Sequence, residues 1–167
     1  MEKPDSYGHI IETLTNLKIG YRCLLHSPIF SMEEGENIAH QLGVKPSKCL
    51  FLCNRQQEYF LLMLPGEKNA PLKEISKQID SSHLSLTSKE EMEKMINTQP
   101  GAVSPLSLIY DKENRVQLLI DEDVIQMDYI ACHPCINTCS LSIKMQDILK
   151  ILLPAINKED YRIIFSD

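Results

Sequence analysis

Residues 100–105 read Pro100, Gly101, Ala102, Val103, Ser104 and Pro105: two prolines bracketing a glycine and three small side chains. Proline fixes its own φ and biases the preceding residue toward extended backbone. Glycine admits backbone angles and close approaches that other residues forbid. A loop so composed is stiff, with backbone N–H groups exposed and little side-chain bulk over them. Such donors suit a carbonyl oxygen or a developing oxyanion. An ordinary tight connection between two elements fits the same residues.

Two further side chains have placements that suit chemistry. Lys48 opens the apolar run Cys49, Leu50, Phe51 and Leu52. A lysine at the start of a strand is either a solvated charge or a cation at the mouth of a pocket, where it suits a phosphate. His133 follows Tyr129, Ile130, Ala131 and Cys132 and precedes Pro134. A strand-end histidine stiffened by proline is either a polar group facing a pocket or a half-buried ring bonded to a backbone carbonyl. His26 ends a strand, and His9, His40 and His83 read as surface or helix-edge residues.

Cys132 and Cys135 make a Cys-x-x-Cys. A redox pair of that form needs a helix starting at the motif, whose N-terminal dipole lowers the first thiol's pKa. The residues that follow, 136–143, alternate as a strand instead. A zinc site needs four spaced ligands, and the other pair, Cys49 and Cys53, has an unusual three-residue gap. Incidental cysteines in a strand–loop–strand are the plainer reading. Nothing marks a serine or cysteine as a nucleophile, and no glycine-rich nucleotide loop is present.

The elements that must hold these residues follow from periodicity. Hydrophobic residues are 43% and charged residues 24% of 167, which fits one globular domain over residues 1–167 with a substantial core. Residues 1–5 lack the layout of a signal peptide, and no apolar run is long enough to span a membrane. A cytoplasmic protein is expected, with no membrane partner. The net charge of −6 argues against coating nucleic acid by charge alone. It leaves room for an enzyme that grips one end of an RNA through a local basic patch.

Helical spacing of Ile10, Ile11, Leu14 and Leu17 predicts a helix over residues 5–18. A short strand follows over 21–25. Ser31 with Glu34, and Ser88 with Glu91, have the form of capping boxes, predicting helices to about Gln41 and Ile96. Residues 50–52 and 59–64 read as a hairpin, and Pro71 opens a helix with Leu72, Ile75 and Ile79 on its inner stripe. Leu84 and Leu86 alternate as a short strand. Strands are expected over 106–110, 115–120, 128–132, 139–143 and 161–165, and a helix over 145–153. The mixed order of hairpins and crossovers predicts an α+β fold with a mixed, largely antiparallel sheet and packed helices.

Taken together these segments resemble the YbaK/prolyl-tRNA-synthetase-associated (editing) domain family, in particular its freestanding prolyl-tRNA editing branch, known as ProXp-ala or PrdX. The resemblance covers roughly residues 20–153. It rests on residues 26–34 (His-Ser-Pro-Ile-Phe-Ser-Met-Glu-Glu), 48–52, 100–105, 116–121 and 133–138 (His-Pro-Cys-Ile-Asn-Thr). It implies hydrolysis of the ester joining a wrong amino acid to tRNA, chiefly alanine on proline tRNA. It implies a catalytic set of Lys48, Gly101 and His133. Lys48 would meet the terminal nucleotide, and the Gly101–Pro105 loop would bind the carbonyl. Ala102, Val103, Ser104, Pro105, Asn137 and Thr138 are the implied substrate-binding residues.

No metal or cofactor is implied. The attacking species would be water, helped by the terminal ribose hydroxyl. The implied partner is the 3′ aminoacyl end of mischarged tRNA, with prolyl-tRNA synthetase a further candidate; the oligomeric state stays open. Two positions depart from the branch's pattern. Cys49 stands where asparagine is common after the lysine, and Ser104 where threonine is often found. The Cys49 departure keeps a second reading open, a degenerate tRNA- or synthetase-binding module. A thiol-redox or zinc protein using Cys132 and Cys135 is the third.

Overall fold

The computed structural model describes residues 6–166. The N-terminal pentapeptide, and with it the start expected for the first helix at Asp5, lies outside them. Helix α1 is Ser6–Asn16, burying Ile10 and Leu14, and strand β1 is Arg22–Leu25. Helix α2, Met32–Leu42, starts where the capping pattern places it. Ser31 Oγ accepts from the Glu34 N–H at 3.2 Å, and the Glu34 carboxylate reaches back to the Phe30 N–H at 3.0 Å. Gly43, at φ +72°, ends the helix in the left-handed region. Strands β2 (Ser47–Cys53) and β3 (Tyr59–Pro65) form the expected hairpin.

Helix α3 is Leu72–Gln78, strand β4 is Ser85–Leu86, and helix α4 is Lys89–Ile96, its N-terminus capped by Ser88. Strand β5 is Val116–Asp121 and helix α5 a single turn, Glu122–Ile125. Strands β6 (Tyr129–Cys132) and β7 (Cys139–Lys144) follow. A C-terminal helix begins as Met145–Asp147, widens into a π turn over Ile148–Leu152 and closes at Leu153–Ala155. Strand β8 is Arg162–Ile164.

Two sheets result. A five-stranded sheet has the order β4-β2-β3-β5-β8, and a three-stranded sheet the order β1-β7-β6. Among the described residues four of the six strand pairings are antiparallel. The fold is therefore the expected α+β arrangement. Alternation along β2, β3 and β5 buries both faces of the larger sheet. Phe51, Leu61, Met63, Leu118 and Ile120 join the main core with α1 and the smaller sheet. Leu52, Phe60, Leu62, Leu64 and Leu119 meet Ile75 and Ile79 on the other side.

One element differs in kind from its sequence reading. Residues 106–110 are not a strand; they belong to a 3-10 helix, Pro105–Tyr110. Ser104 caps it: its Oγ accepts from the Leu106 N–H at 3.2 Å, while Ser107 Oγ accepts from the Ser104 N–H at 3.2 Å. Pro105 takes the first helical position, where its missing N–H costs nothing. A short apolar run has no period that separates a buried strand from a buried helical turn, so the capping serine decided the outcome.

At the far end of β5 the polar turn 111–114 is anchored from within. Asp111 accepts from the N–H groups of Arg115 at 2.9 Å and Val116 at 2.8 Å. Its other partner is the ammonium of Lys158, which is 1% exposed and also donates to Asn114 Oδ1 and the Val116 carbonyl, both at 2.6 Å.

Candidate active site

The two sheets and helices α2 and α4 leave a cavity of about 860 Å³ beside the exposed edge of β2. Its walls come from four parts of the chain. The start of α2 supplies Phe30, Met32 and Glu36, and β2 supplies Lys48, Cys49 and Phe51. The loop before the 3-10 helix supplies Gln99, Pro100, Gly101 and Val103. The β6–β7 connection supplies His133, Asn137 and Ser140. Lys48, Gly101, Val103, His133 and Asn137, singled out in the sequence, therefore share one cavity.

The other four singled-out residues do not line it. Ala102 is fully buried with its side chain in the protein. Ser104 is 1% exposed, and its hydroxyl donates to the His133 carbonyl at 2.6 Å. Pro105 is buried as the first residue of the 3-10 helix. Thr138 is exposed, and its carbonyl accepts from the His26 N–H at 3.0 Å. Their contribution is to hold the wall in place: Ser104 ties the loop to His133, and Thr138 extends the β1–β7 ladder toward His26.

Geometry explains why the loop needs a glycine. Gly101 sits at φ +88°, where a side chain is strained. A Cβ there would also lie 3.2 Å from Asn137 Nδ2. The Asn137 amide lies beside Gly101 and donates to the Ile29 carbonyl at 2.8 Å, so one side chain joins the loop to the segment before α2. Its Oδ1 is buried and has no partner. The loop uses some of its own amides internally: the Ala102 N–H bonds to the Gln99 carbonyl at 3.0 Å, and the Ser104 N–H to Ser107 Oγ. Among the described residues the N–H groups of Gly101 and Val103 have no such partner.

The charges follow from burial. Desolvation pushes the His133 imidazole below its ordinary value. A hydrogen bond to the Cys139 backbone offsets part of this, and nearby His26 adds to it. His133 is thus neutral near pH 7. Lys48 lines the cavity without an ion-pair partner among the described residues. Lys89 and Glu36 are the other charged residues in the wall. Burial pushes the Cys49 thiol up to about 12, so it stays an uncharged, weakly polar wall.

Cys132 and Cys135 are also buried, and burial raises both thiols. A raised thiol is a poor nucleophile. Among the described residues no three His, Cys, Asp or Glu side chains gather as a metal site. At the mouth, Phe30 is 84% exposed, with Met32 and Leu86 also uncovered beside it. Sequence reasoning gave no site role to Phe30, His26 or Ser140; the His26–Ser140 contact joins segments 114 residues apart.

An α+β domain with a largely apolar cavity carrying a few convergent polar groups, a positive-φ glycine loop and a neutral histidine fits a hydrolase that works on a carbonyl. Comparison with known proteins agrees. The model of the aminoacyl-tRNA editing domain matches residues 26–151, and the chain belongs to that family. It is accordingly a hydrolase of the aminoacyl-tRNA deacylase class.

Among relatives, it is 28% identical over 149 residues to the prolyl-tRNA editing protein ProX of Acetoanaerobium sticklandii, covering 89% of this chain and 91% of that one. It is 28% identical over 144 residues to the prolyl-tRNA synthetase associated domain-containing protein 1 of Danio rerio, covering 84% and 78%. The fold matches the crystal structure of a candidate trans-editing enzyme for prolyl tRNA synthetase, with a TM-score of 0.72 at 13% identity over 98% of both chains. It also matches that of hypothetical protein APE2540, with a TM-score of 0.70 at 15% identity over 92% of this chain and 95% of that one. No helix among the described residues is long and apolar enough to cross a membrane.

Proposed function

We propose that this chain, acting as one domain in the cytoplasm, is a trans-editing deacylase that hydrolyses alanine from proline tRNA. The observation that carries the reading is the meeting of Lys48, Gly101, Val103, His133 and Asn137 around one cavity. The similarity to prolyl-tRNA editing relatives supports the tRNA assignment.

The geometry gives each group a task. Attack of water on the ester carbonyl builds negative charge on its oxygen. The free amides of Gly101 and Val103 are the donors for that charge, each worth about 3 kcal/mol when preorganised. The ester C–O bond then breaks, and the terminal ribose oxygen leaves with a proton. His133, being neutral, can take a proton from the attacking oxygen and return it to the leaving one. Asn137 holds the wall, its amide donating to the Ile29 carbonyl at 2.8 Å beside Gly101.

Lys48 supplies a point charge for the phosphate of the terminal nucleotide. The exposed ring of Phe30 offers a face on which the terminal base stacks. Selectivity follows from size. A synthetase pocket built for proline cannot strongly exclude the smaller, equally apolar alanine, and a second, narrower site removes it. Val103, on the cavity wall, sets that limit.

The test is a panel of proline tRNAs carrying alanine, serine, cysteine or proline, each incubated with the protein. Rapid release of alanine with proline spared is expected. Release of serine or cysteine in preference to alanine would reassign the substrate. Tight binding of the tRNA with no release of any residue would make the chain a binding module, the reading that the Cys49 departure motivates.

A further inference from the structure

An unbroken hydrogen-bond chain runs from the end of β1 to the cavity wall. His26 Nδ1 lies 2.8 Å from the Ser27 carbonyl oxygen, and its Nε2 lies 2.9 Å from Ser140 Oγ. Ser140 Oγ lies 3.3 Å from His133 Nδ1. His26 follows β1, Ser140 lies on β7 and His133 follows β6; the β1–β7 and β6–β7 pairings bring them together. The His26 N–H to Thr138 carbonyl bond continues the β1–β7 ladder to the histidine itself.

Proton positions follow from which groups can donate. A carbonyl oxygen only accepts, so His26 Nδ1 carries a hydrogen. In the neutral ring, His26 Nε2 is then an acceptor, and the Ser140 hydroxyl gives it its single hydrogen. Ser140 Oγ has only lone pairs left for His133. The Cys139 backbone carbonyl also takes a ring N–H of His133, and the arrangement that answers Ser140 places the His133 hydrogen on Nδ1 and its lone pair on Nε2. A proton added to His26 reverses the direction. His26 Nε2 then donates to Ser140, the hydroxyl turns to His133 Nδ1, and the His133 hydrogen moves to Nε2.

We propose that His26, acting through Ser140, is a positioning residue that fixes the His133 tautomer whose Nε2 lone pair takes the proton from the attacking oxygen. This use of the lone pair rests on the deacylase reading. Atoms balance within one turnover: Nε2 gains the proton of the attacking water and gives it to the departing ribose oxygen. The other charged or titratable groups around His133 are Glu36 on α2, Lys48 and Cys49 on β2, and Lys89 on α4, all in the same wall, with the Cys139 backbone bonded to the ring. Among the described residues none of these side chains joins the chain of hydrogen bonds, whose members are His26, Ser140 and His133.

The test combines spectroscopy with kinetics. Nitrogen-15 spectra of the histidine rings at pH 7.5 should show His26 and His133 both protonated on Nδ1. In Ser140→Ala, His133 should become a mixture of tautomers. Its kcat for deacylation should fall about tenfold with KM unchanged, a loss in the range of a misplaced proton-transfer partner. Ser140→Thr keeps the hydroxyl and should restore both. His133 found protonated on Nε2 in the wild type would overturn the proposal. So would a Ser140→Ala protein that keeps both tautomer and kcat. If the wild type releases no amino acid from any tRNA, the deacylase reading falls and the catalytic use falls with it, while the spectra still decide the chain of hydrogen bonds.

Discussion

Two lysines in this protein sit in opposite circumstances. Lys158 is 1% exposed, and its three donors go to Asp111, Asn114 and the Val116 carbonyl. Lys48 is half-buried at a cavity wall with no ion-pair partner among the described residues. The first is a closed structural knot, in which every charge and lone pair is answered by the fold. The second belongs to a set of polar groups the fold leaves unanswered: the Lys48 ammonium, the Gly101 and Val103 amides and Asn137 Oδ1. Leaving a buried polar group unmatched costs about 1–3 kcal/mol. Of these groups, Asn137 Oδ1 is the buried one, whereas Gly101 is exposed and Lys48 half-buried; in the proposed function an outside ligand completes the groups that face the cavity.

The comparison breaks most sharply on stability. Lys158→Met should cost about 3–5 kcal/mol, because the buried Asp111 carboxylate is left without its counter-charge. Lys48→Met should cost less than about 0.5 kcal/mol. Urea denaturation of the two variants checks this, and equal losses would erase the distinction between the two regions.

Gly101→Val comes next. It should reduce kcat about 100- to 1,000-fold, the usual loss when an oxyanion donor is displaced. Both the φ of +88° and the contact with Asn137 oppose the new side chain. Single-turnover deacylation is the measure, and a full rate would reduce the loop to a simple turn.

Adjacent residues in that loop sharpen the contrast. Ala102→Val should destabilise the fold by about 1–3 kcal/mol through overpacking, since Ala102 is fully buried. Val103 lines the cavity and also belongs to the main core, so Val103→Ala should cost about 1–2 kcal/mol and, unlike Ala102→Val, admit larger amino acids. Thermal unfolding and the tRNA panel separate the two effects.

The smallest effect concerns pH. The folded His133 titrates below its ordinary value of 6.5. Between the two values the unfolded chain holds more protons than the folded one. This group's contribution to stability is therefore full above about pH 6.5 and is lost as pH falls through the lower, folded value. Urea midpoints of the wild type and His133→Asn across that window should diverge at the acid end, with the variant falling less.

Much of the secondary structure was readable locally. Ser31 and Ser88 announced α2 and α4 because a capping side chain and its target amide are three residues apart. The hairpin of β2 and β3 was visible as two apolar runs around a polar turn. Residues 106–110 were not readable as a 3-10 helix, because five consecutive apolar residues carry no period. The cavity was partly readable. Lys48, Gly101, Val103, His133 and Asn137 were singled out and lie together. Ala102, Ser104, Pro105 and Thr138 were singled out with them and lie behind or beside the wall. The loop shows Gln99, Pro100, Gly101 and Val103 to the cavity and turns Ala102, Ser104 and Pro105 inward, and one-dimensional order does not reveal which. The Lys158–Asp111 pair and the His26–Ser140–His133 chain were hidden for a simpler reason: their members meet only when distant strands do.

The central claim is that the unanswered groups in the cavity act on substrate while the answered ones hold the fold. It is tested most directly by the rate of alanine release from mischarged proline tRNA by the wild type and by Lys48→Ala, at matched folding. The account predicts rapid release by the wild type. For the variant it predicts a kcat/KM lower by about 10- to 150-fold, the worth of one hydrogen bond to a charged group. A Lys48→Ala protein as active as the wild type would contradict it.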